Sequence, residues 1–158
     1  MLKLKLKDKK EYVSVEHNPY TKKGHTTYAK LWTKCPVCKS DLTNEKGQIV
    51  LLGKWNDKKH GIFILSDKLD DFKVEFPEQF DYKKELTVEF ICPHCKKSLV
   101  LEPEHNCTKC KAPMIMLKAF TKSIIQFCSR TGCKEHKLYL HKDDSWEFFR
   151  QAYTDSIY

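Results

Sequence analysis

Cys107-Thr108-Lys109-Cys110 is followed, after a 17-residue interval, by Cys128-Ser129-Arg130-Thr131-Gly132-Cys133. Two cysteines joined by a short turn place both sulfurs on one metal ion, and a second such turn completes a tetrahedral shell of soft ligands at about 2.3 Å. The interval carries two apolar runs, Met114-Ile115-Met116-Leu117 and Ser123-Ile124-Ile125-Gln126-Phe127, split by Ala119-Phe120-Thr121-Lys122. That pattern predicts a hairpin, and 17 residues is a natural length for one whose base is held by a metal.

Two further knuckles lie upstream, Cys35-Pro36-Val37-Cys38 and Cys92-Pro93-His94-Cys95. Four knuckles make two shells and leave no cysteine over. Pairing in chain order is the most economical. It puts Cys35, Cys38, Cys92 and Cys95 at site one and Cys107, Cys110, Cys128 and Cys133 at site two. The other pairing joins Cys92/Cys95 to Cys107/Cys110 across only 11 residues and sends Cys35/Cys38 to Cys128/Cys133. His136 stands at CxxH spacing from Cys133 and offers a substitute ligand, whereas His94, inside a knuckle, is expected to face solvent. A thioredoxin-like redox pair expects one CxxC opening a helix in a βαβ unit. Here four knuckles sit among strand-like runs instead. Lysine follows the second cysteine of every knuckle (Lys39, Lys96, Lys111, Lys134). An ammonium there offsets the double negative charge of a zinc shell made of four thiolates.

Working outward, Leu2, Leu4 and Leu6 alternate with Lys3, Lys5 and Lys7, the period of a half-buried strand. Asp8-Lys9-Lys10 reads as a turn and Tyr12-Val13-Ser14-Val15 as the returning strand, so residues 1–30 are expected to form an N-terminal β-hairpin and loop. Residues 31–101 form a first ribbon with a β-rich insertion, in which Ile49–Leu52, Gly61–Leu65, Lys73–Phe76 and Leu86–Ile91 are strand-like. Residues 102–142 form the second ribbon. In 143–158, Asp143, Asp144 and Ser145 supply helix-start signals, and Trp146, Phe149 and Tyr153 follow at helical spacing. The expected class is mainly β, with two zinc-ribbon modules, the insertion, the hairpin and a short C-terminal amphipathic α-helix.

The knuckle segments resemble zinc ribbons of the rubredoxin-like kind. Residues 107–133 are also similar to the C-terminal zinc fingers of bacterial type IA topoisomerases, through Cys107-x2-Cys110-x2-Pro113-Met114 and Phe127-Cys128-Ser129-x3-Cys133. They depart from that family in the last spacing, four residues instead of five, and in lacking glycine after Cys110. The resemblance implies a ribbon fold and, less strongly, contact with DNA.

Charge narrows the functions. The formal +8 counts cysteines as neutral. Two divalent ions held by eight thiolates bring it to about +4. All basic residues but Arg130 and Arg150 are lysine, and arginine is the side chain suited to bidentate base and phosphate recognition. No run approaches the ~20 apolar residues of a membrane span, and the Leu/Lys alternation at the start is no signal peptide. The expected location is therefore the cytoplasm, away from membranes. There, eight cysteines point to metal rather than disulfides.

A catalytic zinc keeps an open position, which four cysteines deny. The deaminase signature, HExxH, a phosphate loop and a nucleophile elbow are all missing from the sequence. The expected function is a non-catalytic double zinc-ribbon protein with two Zn2+, a structural or adaptor subunit that joins protein partners in a larger assembly or enzyme complex. Trp146, Phe148, Phe149 and Tyr153 are its candidate anchors. Two alternatives stand beside it. One is nucleic-acid binding by Lys109, Lys111, Lys118, Lys122 and Arg130, with Phe120 and Phe127 stacking on unpaired bases. The other is a rubredoxin-like electron carrier with iron in the same thiolates.

Overall fold

The computed structural model describes residues 1–4, 6, 9–15, 30–56, 58–69, 71, 73–148 and 150. In chain order the strands are β1 (Tyr12–Val15), β2 (Gln48–Trp55), β3 (Lys59–Ser66), β4 (Val74–Glu75), β5 (Glu89–Ile91), β6 (Met114–Ala119), β7 (Ser123–Cys128) and β8 (His136–His141). They form two antiparallel four-stranded sheets, ordered β1-β8-β7-β6 and β4-β3-β2-β5. A short helix follows at the C-terminal end, from residue 145. The expected mainly β class is therefore the observed one.

The predicted hairpin forms between β6 and β7, in register from Met114↔Cys128 to Ala119↔Ser123. Its runs are apolar without alternation because both faces are covered. Ile115, Leu117 and Ile125 face the main core, while Met114, Met116 and Ile124 face a second apolar cluster with Leu101 and Cys107. The turn passes through Phe120 at φ 53°.

In the second sheet, β2 and β3 pair along their whole lengths. Trp55, Phe63, Phe80 and Phe90 meet edge to face, with centroids 5.0–5.7 Å apart, the arrangement that aromatic quadrupoles favour. Gly53 permits it, since a Cβ there would lie 2.3 Å from the Phe63 ring and 2.7 Å from Val88.

The N-terminal hairpin is a correction. Leu2 and β1 find separate partners: Leu2 bridges Leu101 in parallel, and β1 pairs with β8. The reason is apolar cover. Leu2, Leu4 and Leu6 pack on the second cluster, on the outer face of the first sheet. Strand β8, which the apolar periodicity does not announce, supplies the edge that β1 uses. The expected loop over 17–27 lies outside the described residues.

The edge of β6 away from β7 is closed by two short segments from the first ribbon. Leu101 N donates to Met114 O and Met116 N to Leu99 O, at 2.8 and 3.1 Å. Further along, Lys34 and Lys118 exchange both backbone bonds, at 3.0 and 2.9 Å, and Phe120 N donates to Leu31 O. One of these segments leads into the first knuckle and the other leaves the second.

Two buried carboxylates pin the turns. Asp144 Oδ2 accepts from Lys122 N, Ser123 N and Ser123 Oγ, which locks the β6–β7 turn to the tail. Asp67, 1% exposed, accepts from Trp32 N at 3.0 Å, Thr33 N at 3.3 Å and Thr33 Oγ1 at 2.9 Å. The tail itself differs from the expected stripe. Phe148 is buried and meets Phe120 edge to face, whereas Trp146 is 71% exposed. Phe149 and Tyr153 lie outside the described residues.

Burial pushes the Asp67 carboxyl up to about 6, against the opposing hydrogen bonds from Thr33 and Trp32. A raised carboxyl favours the proton in the folded state, so its contribution is complete below pH ~4 and lost as pH climbs through 6. Asp67→Asn removes this dependence at the expense of one acceptor, for Trp32 N. Denaturation from pH 4 to 7 is expected to show the parent losing about 2–3 kcal/mol of stability relative to the variant as pH rises.

Candidate metal centres

Each knuckle is a local solution to one problem, namely how to bring two sulfurs together while satisfying the backbone around them. In the first, Cys35 N donates to Ser40 O and Lys39 N returns to Cys35 O, both at 3.0 Å. The freed amides turn to sulfur: Val37 N and Cys38 N point at Cys35 Sγ, at 3.3 and 3.5 Å. The second knuckle repeats this, with Cys92 N to Lys97 O, Lys96 N to Cys92 O, and His94 N and Cys95 N on Cys92 Sγ. The third has the same frame, Cys107 N to Ala112 O and Lys111 N to Cys107 O. In the longer fourth knuckle Cys128 N reaches Glu135 O, and Arg130 N points at Cys128 Sγ. Peptide N–H groups aimed at a sulfur favour its thiolate form.

Closing such a turn needs a left-handed residue after the second cysteine. Lys39, Lys96 and Lys111 take it, at φ 64°, 62° and 67°, although this conformation costs an L-residue roughly 1–2 kcal/mol. The longer fourth knuckle has its left-handed residue, Gly132 at φ 89°, one position before its second cysteine. Two of the lysines fold back over their own turns, Lys39 Nζ onto Pro36 O at 2.8 Å and Lys111 Nζ onto Thr108 O at 3.3 Å.

The knuckles meet in chain order. Cys35, Cys38, Cys92 and Cys95 bring their sulfurs within 4.8 Å of one another, as do Cys107, Cys110, Cys128 and Cys133. Sulfurs at about 2.3 Å from a central ion lie about 3.8 Å apart in a tetrahedron. The observed separations are 3.8 Å for Cys35–Cys95 and Cys38–Cys92, 3.9 Å for Cys107–Cys133 and 3.3 Å for Cys110–Cys128. Two tetra-cysteine sites thus fit two metal ions. His136 is not among the clustered ligands; its Nδ1 lies 3.1 Å from Lys134 O. His94 Nε2 turns to Asp41 O at 3.2 Å.

The thiols within each cluster are driven apart in acidity. Burial pushes Cys35 up to about 12 and also raises Cys92, Cys128 and Cys133. Hydrogen bonds from Ser40 lower Cys38 to about 6. At Cys107 burial is outweighed by the Cys110 and Lys109 amides, which bring it to about 7. Four sulfurs this close cannot ionise together without a cation among them, and a divalent ion supplies it.

Of the five basic residues expected to form a nucleic-acid face at the second ribbon, three are drawn into ion pairs. Lys109 pairs with Glu135, Lys122 with Asp143 and Arg130 with Glu85, at 3.0, 2.7 and 3.0 Å. Phe120 is buried against Phe148, and Phe127, partly buried, packs on Phe90 at the edge of the core. Among the described residues no helix is long and apolar enough to cross a membrane.

Replacing Lys111 by glycine is expected to keep metal affinity and to hold or raise stability by up to ~1 kcal/mol, because the left-handed backbone is relieved. Lys111→Val, branched at Cβ, is expected to lose about 1–2 kcal/mol. Denaturant midpoints of the metal-loaded variants check both. Comparison of the chain with protein-family models, curated proteins and solved structures finds no significant match.

Proposed function

We propose that the chain is a non-catalytic double zinc-ribbon protein whose two Zn2+ ions hold together a scaffold for protein partners. The observation that carries this reading is the pair of closed four-sulfur shells, each served by backbone amides. A shell of four thiolates leaves no coordination position for water or substrate. Zinc is favoured over iron because divalent zinc binds a given thiolate site more tightly than ferrous iron.

Surface chemistry supports the scaffold role. Residues 1–40 and 91–142 are strongly basic, while residues 66–90 hold eight acids against four lysines. Trp146 projects from the tail at 71% exposure, a large apolar side chain of the kind that anchors interfaces.

Metal analysis of the purified protein is expected to give two zinc ions per chain and no visible absorption; a coloured iron–thiolate protein would overturn the zinc assignment. Structural zinc contributes ~10–16 kcal/mol of apparent binding energy per site in small peptides, against a net domain stability of about 5–15 kcal/mol. A strong chelator is therefore expected to unfold at least the second ribbon. Unchanged thermal stability after complete metal removal would refute the structural role. For the scaffold role, native size analysis from the source cell is expected to find the chain in a larger complex, and a lone monomer would count decisively against it.

A further inference from the structure

Trp32 combines three features that stability alone does not require. Its backbone is left-handed, at φ 55°, a genuine outlier for a bulky side chain. It is held there by buried Asp67, which accepts from the amides of Trp32 and Thr33. The indole is then left 44% exposed, between fully buried neighbours Leu31 and Thr33. Strain of this kind persists where the surroundings over-determine it, and it concentrates at functional positions.

The ring is set in a field of lysines. Lys30 Nζ lies 4.3 Å from its centroid. Cross-strand pairing brings more: Lys30 stands opposite Lys68, and Lys34 opposite Lys118. Directly opposed like charges destabilise a sheet, yet two such pairs flank one exposed tryptophan. Lys39, at the end of the first knuckle, is near enough to Lys118 to repel it. Among the described residues the counter-charges are Asp41, beside Lys34 and Lys30, Asp144, which acts on Lys118, and the thiolates of site one. Asp67 lies buried beneath.

We propose that Trp32 and the lysines 30, 34, 39, 68 and 118 form a binding face for an unpaired nucleic-acid strand. A base stacks on the indole, a contact worth about 1–3 kcal/mol and tolerant of sequence. The phosphates on either side lie between the opposed lysines and relieve their repulsion. Lysine suffices for this because backbone tracking needs point charges, whereas reading bases by their edges calls for arginine forks. The face lies where the segment before the first knuckle meets β6, and it leaves out Lys109, Lys122 and Arg130 of the second ribbon, which are paired with acids. It needs site one filled, since the first knuckle orders Lys34 and Lys39, but it is independent of the scaffold role.

The test uses the full-length, metal-loaded protein and a fluorescently labelled 15-nucleotide oligo(dT), followed by anisotropy at 50 and 200 mM salt. Binding at 50 mM that weakens at least tenfold at 200 mM is expected. Trp32→Ala should weaken it about tenfold or more, Trp32→Phe by less than about threefold, and Tyr82→Ala, at an exposed ring outside the face, not at all. Lys34→Gln with Lys118→Gln should flatten the slope of log affinity against log salt by about 1.4, or 0.7 for each phosphate deprived of its lysine. Metal content and circular dichroism identify a variant that has not folded. Should Trp32→Ala be one, the Trp32→Phe and lysine variants decide. Absence of binding at 50 mM, an unchanged slope in the lysine variant, or equal binding of a poly-glutamate peptide overturns the proposal; the last outcome would reassign the face to an acidic protein partner.

Discussion

Sulfur crowding is the constraint on which this structure depends. Eight thiols are gathered into two groups, each with its sulfurs within 4.8 Å. Burial drives several of them toward the protonated form while amide donors pull others toward the thiolate. Neither extreme is comfortable without a cation. Four thiols fill the space where an ion would sit without bonding across it, and four thiolates repel one another. A divalent ion resolves both conflicts and turns the most strained point of each ribbon into its strongest cross-link. Lys39, Lys96 and Lys111 accept a left-handed backbone that glycine would take more easily, and the ammonium groups of Lys39 and Lys111 close back on carbonyls of their own turns.

Much of this was legible because it is local. CxxC spacing fixes two ligands at a time, and pairing in chain order, the more economical of the two possibilities, is the one observed. The β6–β7 hairpin was equally plain, its two runs being separated by a turn and bounded by cysteines. Tertiary choices were less visible. Alternation at Leu2, Leu4 and Leu6 announces an apolar face without saying what covers it, and the cover proved to be the outside of the first sheet. Strand β8 hides its two inward leucines, Leu138 and Leu140, between histidines and lysines. In the tail, helical spacing favoured Trp146. The preceding 3-10 turn, fastened by Asp144 to Lys122 and Ser123, orients the helix so that Phe148 enters the core instead.

Asp67 and Trp32 illustrate a further limit. A single aspartate in a loop carries no pattern, and its role exists only because residues 31–33 are brought against it across more than thirty positions of chain. Trp32 likewise carries no pattern in the sequence. Its backbone conformation and its opposed lysines are properties of pairing, which periodicity does not report.

The manner in which the edge of β6 is closed has a consequence for how the protein fails. Leu31–Lys34 covers one half of that edge and Leu99–Leu101 the other, and the two segments are tied to each other through the first ion's four cysteines. Should that ion be lost, both segments are released together, and an apolar strand buried on both faces is left with a row of unpaired amides and carbonyls. An exposed strand of this type is a template for pairing with another chain. The first metal centre thus holds a ribbon shut and, by the same contacts, keeps the edge of β6 from pairing with another chain.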